Sequence, residues 1–162
     1  MAERKDKSKD REPVIENRKS RFDYEILETL ECGIELQGSE VKSLRNGLAS
    51  LNEGWAKGEL SPLSLTLIGV HIGEYSPAGF ARQHEPTRGR RLLARKREII
   101  RITNEVKAKS GTLVPLKIYW KGGRAKVLIG LGVGKSKGDK RESIKSREDK
   151  RDMDRAMSKR RG

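Results

Sequence analysis

The densest run of residues that could do chemistry lies between Arg82 and Arg101. There Arg82, Arg88, Arg90, Arg91, Arg95, Lys96, Arg97 and Arg101 are opposed only by Glu85 and Glu98. Cations at that density neutralise phosphate oxygens and release condensed counterions, so the chemistry they suit is gripping a nucleic-acid backbone. A solvated helix face would also collect cations, but here they fill the preceding loop as well, where no helical pattern requires them. A second run opens with Lys135, Lys137, Lys140, Arg141 and Lys145. Beyond it Arg147, Arg151, Arg155 and Lys159 recur every four residues, which on a helix makes one slowly drifting basic stripe. Glu148, Asp149, Asp152 and Asp154 interrupt the stripe and favour pairs within that helix. Asp139 and Glu142, three apart, predict an acidic cap at its start.

Residues for bond-making chemistry are sparse. Gly134-Lys135-Ser136 looks like the end of a phosphate-binding loop, but that motif needs a glycine at position 129, where Ile129 stands inside a predicted strand. Cys32 is the single cysteine and His71 and His84 the only histidines, too few for a disulfide framework or a Cys/His zinc site. Cys32 reads as a small core or strand-edge residue. No spacing of carboxylates and histidines suggests a catalytic dyad or triad, so no catalytic residue, metal or cofactor is expected. Glu31, beside Gly33, could accept a hydrogen bond from a base edge or ribose hydroxyl, or form a strand-end salt bridge. The spacing does not choose between them.

The chain has 162 residues, 37 Lys and Arg against 23 Asp and Glu, and a formal net charge of +14, a balance that attracts polyanions and opposes self-association. A monomer is expected. No apolar run approaches the roughly 20 residues of a membrane span and no signal-like start is present, so a soluble cytoplasmic protein with no membrane partner is expected. Residues 1–21 are nearly devoid of apolar side chains and predict a mobile arm. Residues 22–134 are nearer neutral and predict the folded domain, and residues 135–162 a basic tail that is disordered alone and becomes helical when bound.

Within the domain, alternation predicts strands from Phe22 to Leu30, Ile34 to Gln37, around Trp55, and from Leu63 to Ile72. Gly33 is read as a break, and Lys57-Gly58-Glu59 as a turn. A short helix is predicted over 39–46, and the longest helix from Leu92 to Gly111. Leu113 to Trp120 and Ala125 to Val133 predict a hairpin across Gly122-Gly123, with Gly130 and Gly132 marking curvature or close approach. Together these give a mainly β fold with α, a small six-stranded antiparallel barrel of the oligonucleotide-binding type with two or three helices.

The chain resembles the tmRNA-binding small protein B family of bacteria over about residues 17–155. The resemblance rests on Asn17-Arg-Lys19, Tyr24, Glu31-Cys-Gly33, Gly38-Ser-Glu-Val-Lys-Ser-Leu-Arg-Asn-Gly47, Pro86-Thr-Arg-Gly-Arg-Arg-Leu-Leu93, Arg97-Glu-Ile99, Val114-Pro-Leu116, Tyr119-Trp-Lys121 and Asp139-Lys-Arg141. It implies an accessory factor of trans-translation, without chemistry of its own. Such a factor binds the tRNA-like domain of tmRNA and, with elongation factor Tu, brings alanyl-tmRNA to stalled ribosomes. It also implies that the tail occupies the empty mRNA channel at the decoding centre of the small-subunit rRNA. The tmRNA face would comprise Asn17, Arg18, Lys19, Tyr24, Glu31, Arg45, Arg88, Arg90, Arg91 and Leu93, with Arg95 and Lys96 of the basic ridge. The ribosome face would comprise Lys135, Lys137, Asp139, Lys140, Arg141, Lys145, Arg147, Arg151 and Arg155. Three positions depart from the family pattern: Ala94-Arg95 where a leucine and then His or Asn are common, Phe22 where His is common, and Gly138 where His or another aromatic is common. A structural ribosomal or ribosome-assembly protein is the alternative.

Overall fold

A computed structural model describes residues 12–160. The hairpin forms where the paired glycines stand: β8 (Thr112–Lys121) and β9 (Arg124–Gly134) meet at Gly122 and Gly123, whose φ angles of 58° and 75° suit the turn that right-twisted strands require. β9 then lies antiparallel to β2 (Tyr24–Ile34), whose alternation buries Leu30, Cys32 and Ile34. Three further strands complete the set: β4 (Trp55–Leu60), β5 (Leu63–Ile68) and β7 (Arg90–Leu93). Hydrogen bonding runs β8-β4-β5-β7-β2-β9 and returns from β9 to β8, so six antiparallel strands close into a ring without free edges. The core inside it includes Leu65, Leu67, Leu92, Leu113, Ile118, Val127, Ile129 and Leu131. Each such side chain contributes roughly 1.5–3 kcal/mol by leaving water.

The glycines of β9 act by close approach. A Cβ on Gly130 would lie 3.0 Å from both Ile26 and Leu116, and one on Gly132 2.9 Å from Tyr24. Their absence lets these three side chains lie against the ring. Helix α3 (Lys96–Lys109) buries Ile99, Ile102 and Thr103 and packs over β4 and β5. A short helix α2 (Gly38–Arg45) buries Leu44, and β3 (Ala49–Ser50) pairs with β6 (His71–Ile72) beside it.

The fold differs from the sequence reading in several places. β2 is one strand continuing through Gly33, which pairs with Lys126 and Leu93, and Glu35 to Gln37 lie outside it. Lys57-Gly58-Glu59 is strand rather than turn, because Gly58 is where Thr103 of α3 packs onto the sheet; the chain reverses at Ser61-Pro62 instead. Leu92 and Leu93 are in β7, not a helix: Leu92 points into the core, Leu93 out, and the helix starts only after Arg95.

The N-terminal segment is ordered where an arm was expected. β1 (Ile15–Glu16) pairs with β8, and α1 (Arg18–Asp23), which includes Phe22, follows it. Buried Asn17 explains this, since its side chain accepts from the Ser20 amide and donates to the carbonyls of Pro115 and Leu51. Residues 1–11 of that arm lie outside the described residues. Among the described residues the longest helix is α4 (Lys137–Arg160), where the one beginning at Leu92 was expected to be longest.

Candidate nucleic-acid interface

The basic run of the sequence is organised by one buried carboxylate. Glu40, in the first turn of α2, has no exposed surface and accepts from Arg88 Nε (2.8 Å) and Nη2 (2.6 Å), Arg90 Nε (2.7 Å) and the Gln37 amide (2.7 Å). Burial alone would push the Glu40 carboxyl up; these hydrogen bonds overcome it and hold the group below its ordinary value of 4.5. Arg90 is itself fully buried, and its remaining nitrogens donate to Val70 O (2.7 Å) and Pro86 O (2.9 Å). Arg90 thus ties the loop before β7 to the sheet, and its side chain has no exposed surface where an RNA contact was expected. Arg88 is intermediate: its guanidinium leans on Glu40 and the Glu35 carbonyl and leaves a quarter of the side chain exposed.

Arg91, Leu93, Arg95 and Lys96 are exposed along β7 and into α3. Glu98, three residues on, accepts from the Arg95 amide at 2.9 Å and fixes the strand-to-helix junction. Glu31 adopts the salt-bridge alternative, taking the Tyr119 hydroxyl and Lys121 Nζ (3.3 Å). The hydrogen bond from the Tyr119 hydroxyl lowers the Glu31 carboxyl, while burial, with the hydrogen bond to Glu31 second, pushes Tyr119 up to about 12. Arg45 is exposed, 4.9 Å from the centroid of the Trp120 ring.

Asn17 is likewise buried where an exposed contact was expected. Arg18 and Lys19 are exposed on α1, with Lys19 Nζ 4.0 Å from Glu53, and Tyr24 is half-buried under Gly132. Cys32 is buried, and desolvation pushes its thiol up to about 12, which suits the core role read from the sequence. The Ser39–His84 contact (2.8 Å) is buried, so its hydroxyl is closed to a substrate. On the other side of the ring His84 Nε2 donates to Ile72 O (2.9 Å), where a catalytic pair would set a carboxylate.

The tail begins three residues earlier than the acidic cap suggested. Ser136 is the capping residue: its Oγ accepts from the Asp139 amide (3.2 Å), and Asp139 Oδ2 accepts from the Ser136 amide (3.2 Å) and hydroxyl (2.7 Å). The first three turns rest on α1. Lys135 Nζ donates to Arg21 O at 3.1 Å, Lys140 pairs with Asp23 at 3.4 Å, and Lys140 and Arg147 lie 6.0 and 5.9 Å from the Phe22 ring centroid. Lys137, Asp139, Arg141, Lys145, Arg151 and Arg155 are exposed, as are Met153 and Met157. The structure thus gathers Arg88, Arg91, Leu93, Arg95 and Lys96 on and beside β7 and sets the tail cations apart on α4. Glu40 stands in the Gly38–Gly47 block of the sequence, where no role of its own was read for it. Nothing local marks Glu40, because the two arginines that bind it lie 48 and 50 residues away.

A family model described as SmpB protein matches residues 14–159. The chain is 50% identical over 152 residues to an SsrA-binding protein of Synechocystis, covering 93% of this chain and 97% of that one. It is 48% identical over 149 residues to an SsrA-binding protein of Myxococcus xanthus, covering 91% and 89%. Among solved structures, one described as "tmRNA-SmpB: a journey to the center of the bacterial ribosome" aligns with a TM-score of 0.64 at 45% identity, over 82% of this chain and 94% of that one.

Proposed function

Because the chain belongs to the SmpB family, we propose that it binds tmRNA and acts with it in trans-translation on the ribosome. The observation that carries this reading is the exposed set Arg91, Leu93, Arg95 and Lys96, backed by the Glu40 clamp and separate from the basic stripe of α4. Two separated cationic surfaces suit two RNA partners. The ring, residues 22–134, takes the tRNA-like domain through these residues with Arg88, Arg45, Glu31 and Tyr24, joined by Arg18 and Lys19 of α1. The tail, residues 135–162, takes the ribosome, entering the vacant mRNA channel with Lys137, Asp139, Lys140, Arg141, Lys145, Arg147, Arg151 and Arg155, while Lys135 holds its base to α1. Residues 161 and 162 lie outside the described residues. The protein acts by positioning RNA, as a monomer, without catalysis, and with elongation factor Tu delivering the alanylated RNA. No helix among the described residues is long and apolar enough to cross a membrane.

Truncation after Gly134 tests the division. It should leave affinity for the tRNA-like domain within about threefold of the full chain, because β9 ends there and the ring stays closed, while peptide tagging on stalled ribosomes is lost. Loss of both together would refute the division of roles.

A further inference from the structure

The cations of this chain are unevenly spread. Lys and Arg make up 37 of its 162 residues, yet none occurs between Lys57 and Arg82. That stretch runs through β5 and β6 into a loop at residues 73–83, and its acids are Glu59, which pairs with Lys57, and Glu74. At the tip of the loop stands Phe80, 105% exposed, the most of any large apolar side chain among the described residues. Leu48, 48% exposed, lies where the loop begins, its carbonyl accepting from the Gly73 amide at 2.7 Å. The tip is presented on a fixed base. The Gln83 side chain accepts from the Tyr75 amide at 3.1 Å and donates to the Tyr75 carbonyl. One rung below, His84 Nε2 donates to Ile72 O, and the Ile72 amide donates to Pro86 O, both at 2.9 Å. Between these ties the chain turns at Gly79, whose φ of 69° suits glycine.

We propose that this loop is a docking knob for a ribosomal protein: Phe80 inserts into an apolar pocket on the partner, and Glu74 and Glu85, both exposed, pair with the basic surface around it. An aromatic anchor held in place loses little freedom on binding, and such anchors carry most of the energy of protein interfaces. Charge decides against RNA. Surfaces that stack bases set cations beside their aromatics to hold the phosphates. Within this loop Arg82 is the one cation, with Glu74 at one end and Glu85 just past the other; Lys42, the cation at its base, faces the Tyr75 ring at 5.3 Å. A tip flanked by acids repels a phosphate chain and complements the basic surface of a protein that sits on RNA. The loop belongs to neither of the cationic sets on β7 and α4. The proposal rests on the ribosome reading and adds to its two RNA contacts a contact with protein.

The test uses the full chain carrying Phe80→p-benzoylphenylalanine, a photoreactive side chain, bound with tmRNA to purified 70S ribosomes stalled on an mRNA without a stop codon. Phe80 has no packing to lose, so the variant keeps the fold. Irradiation should join position 80 to a ribosomal protein, giving an adduct that resists nuclease and yields to protease. Phe80→Ala should weaken binding of the chain–tmRNA complex to these ribosomes about 30-fold, the loss of one interface hot spot. It should leave the urea midpoint and the affinity for the isolated tRNA-like domain unchanged, and Phe80→Leu, which keeps an apolar anchor, should recover part of the loss. Glu74→Lys with Glu85→Lys should weaken the same step. Crosslinks to RNA alone, or no crosslink from the bound chain, would overturn the knob, as would Phe80→Ala binding as tightly as the parent; each leaves the ribosome reading standing. A parent chain that does not bind the ribosomes at all would sink that reading and the knob with it.

Discussion

Arg90 and Glu40 form an ion pair, Nε to Oε1 at 2.7 Å, in which neither side chain has any exposed surface. Two residues sequential in the basic run are therefore placed oppositely: Arg90 holds the fold, and Arg91, pointing the other way on the same strand, is exposed. Removing one partner of a buried pair leaves an uncompensated charge. Arg90→Ala should therefore cost about 3–5 kcal/mol of stability. Arg91→Ala should stay within about 0.5 kcal/mol of the parent, yet weaken RNA binding and flatten its log–log salt dependence by about one unit. Urea unfolding and RNA titrations at several salt concentrations check both. Equal stability of the two variants would refute the assignment.

Acid should expose the same clamp. Glu40 is held below 4.5 in the folded chain, so the unfolded chain takes up the proton first as pH falls. Its contribution is fully present above about pH 4.5 and is lost as pH drops through the lowered folded value. The urea midpoint should lose nothing from this group between about pH 7 and 5 and decline below that, and the decline should be shallower in Glu40→Gln. Glu31 and Asp139 are also lowered, but both are exposed and screened and add little.

The tail helix should depend on the body that carries it. Its contacts with α1 cover only Lys135 to Arg147, and Ile144, Met153 and Met157 remain exposed, so no apolar face stabilises the rest. A peptide of residues 137–160 should be mostly unstructured in water by circular dichroism. A peptide more than about half helical would show that the helix needs neither α1 nor RNA.

The closed ring was legible because its signals are local. Alternation in β2, the glycine pair at 122–123 and the outward glycines of β9 each state a backbone requirement within a few residues. The errors arose where a distant contact decides. Arg90 lies fifty residues from Glu40, Asn17 ninety-eight from Pro115, and Gly58 reads as a turn until Thr103 is known to lie on it. Leu92 and Leu93 continue the helical spacing of α3, and only strand pairing to β2 and β5 pulls Arg90–Leu93 into the sheet. For the site, the sequence marked where the cations are dense, not which of them the fold uses for itself.

A basic ring that recognises one RNA differs from a general polyanion binder in its selectivity. The direct measurement is the affinity of the purified full chain for a tmRNA tRNA-like domain and for a ribosomal RNA fragment of equal length, at one fixed salt concentration, since charge alone binds both. Nanomolar binding to the first, at least about tenfold tighter than to the second, is the expected result, a gap of about 1.4 kcal/mol. Equal affinity for both would contradict it.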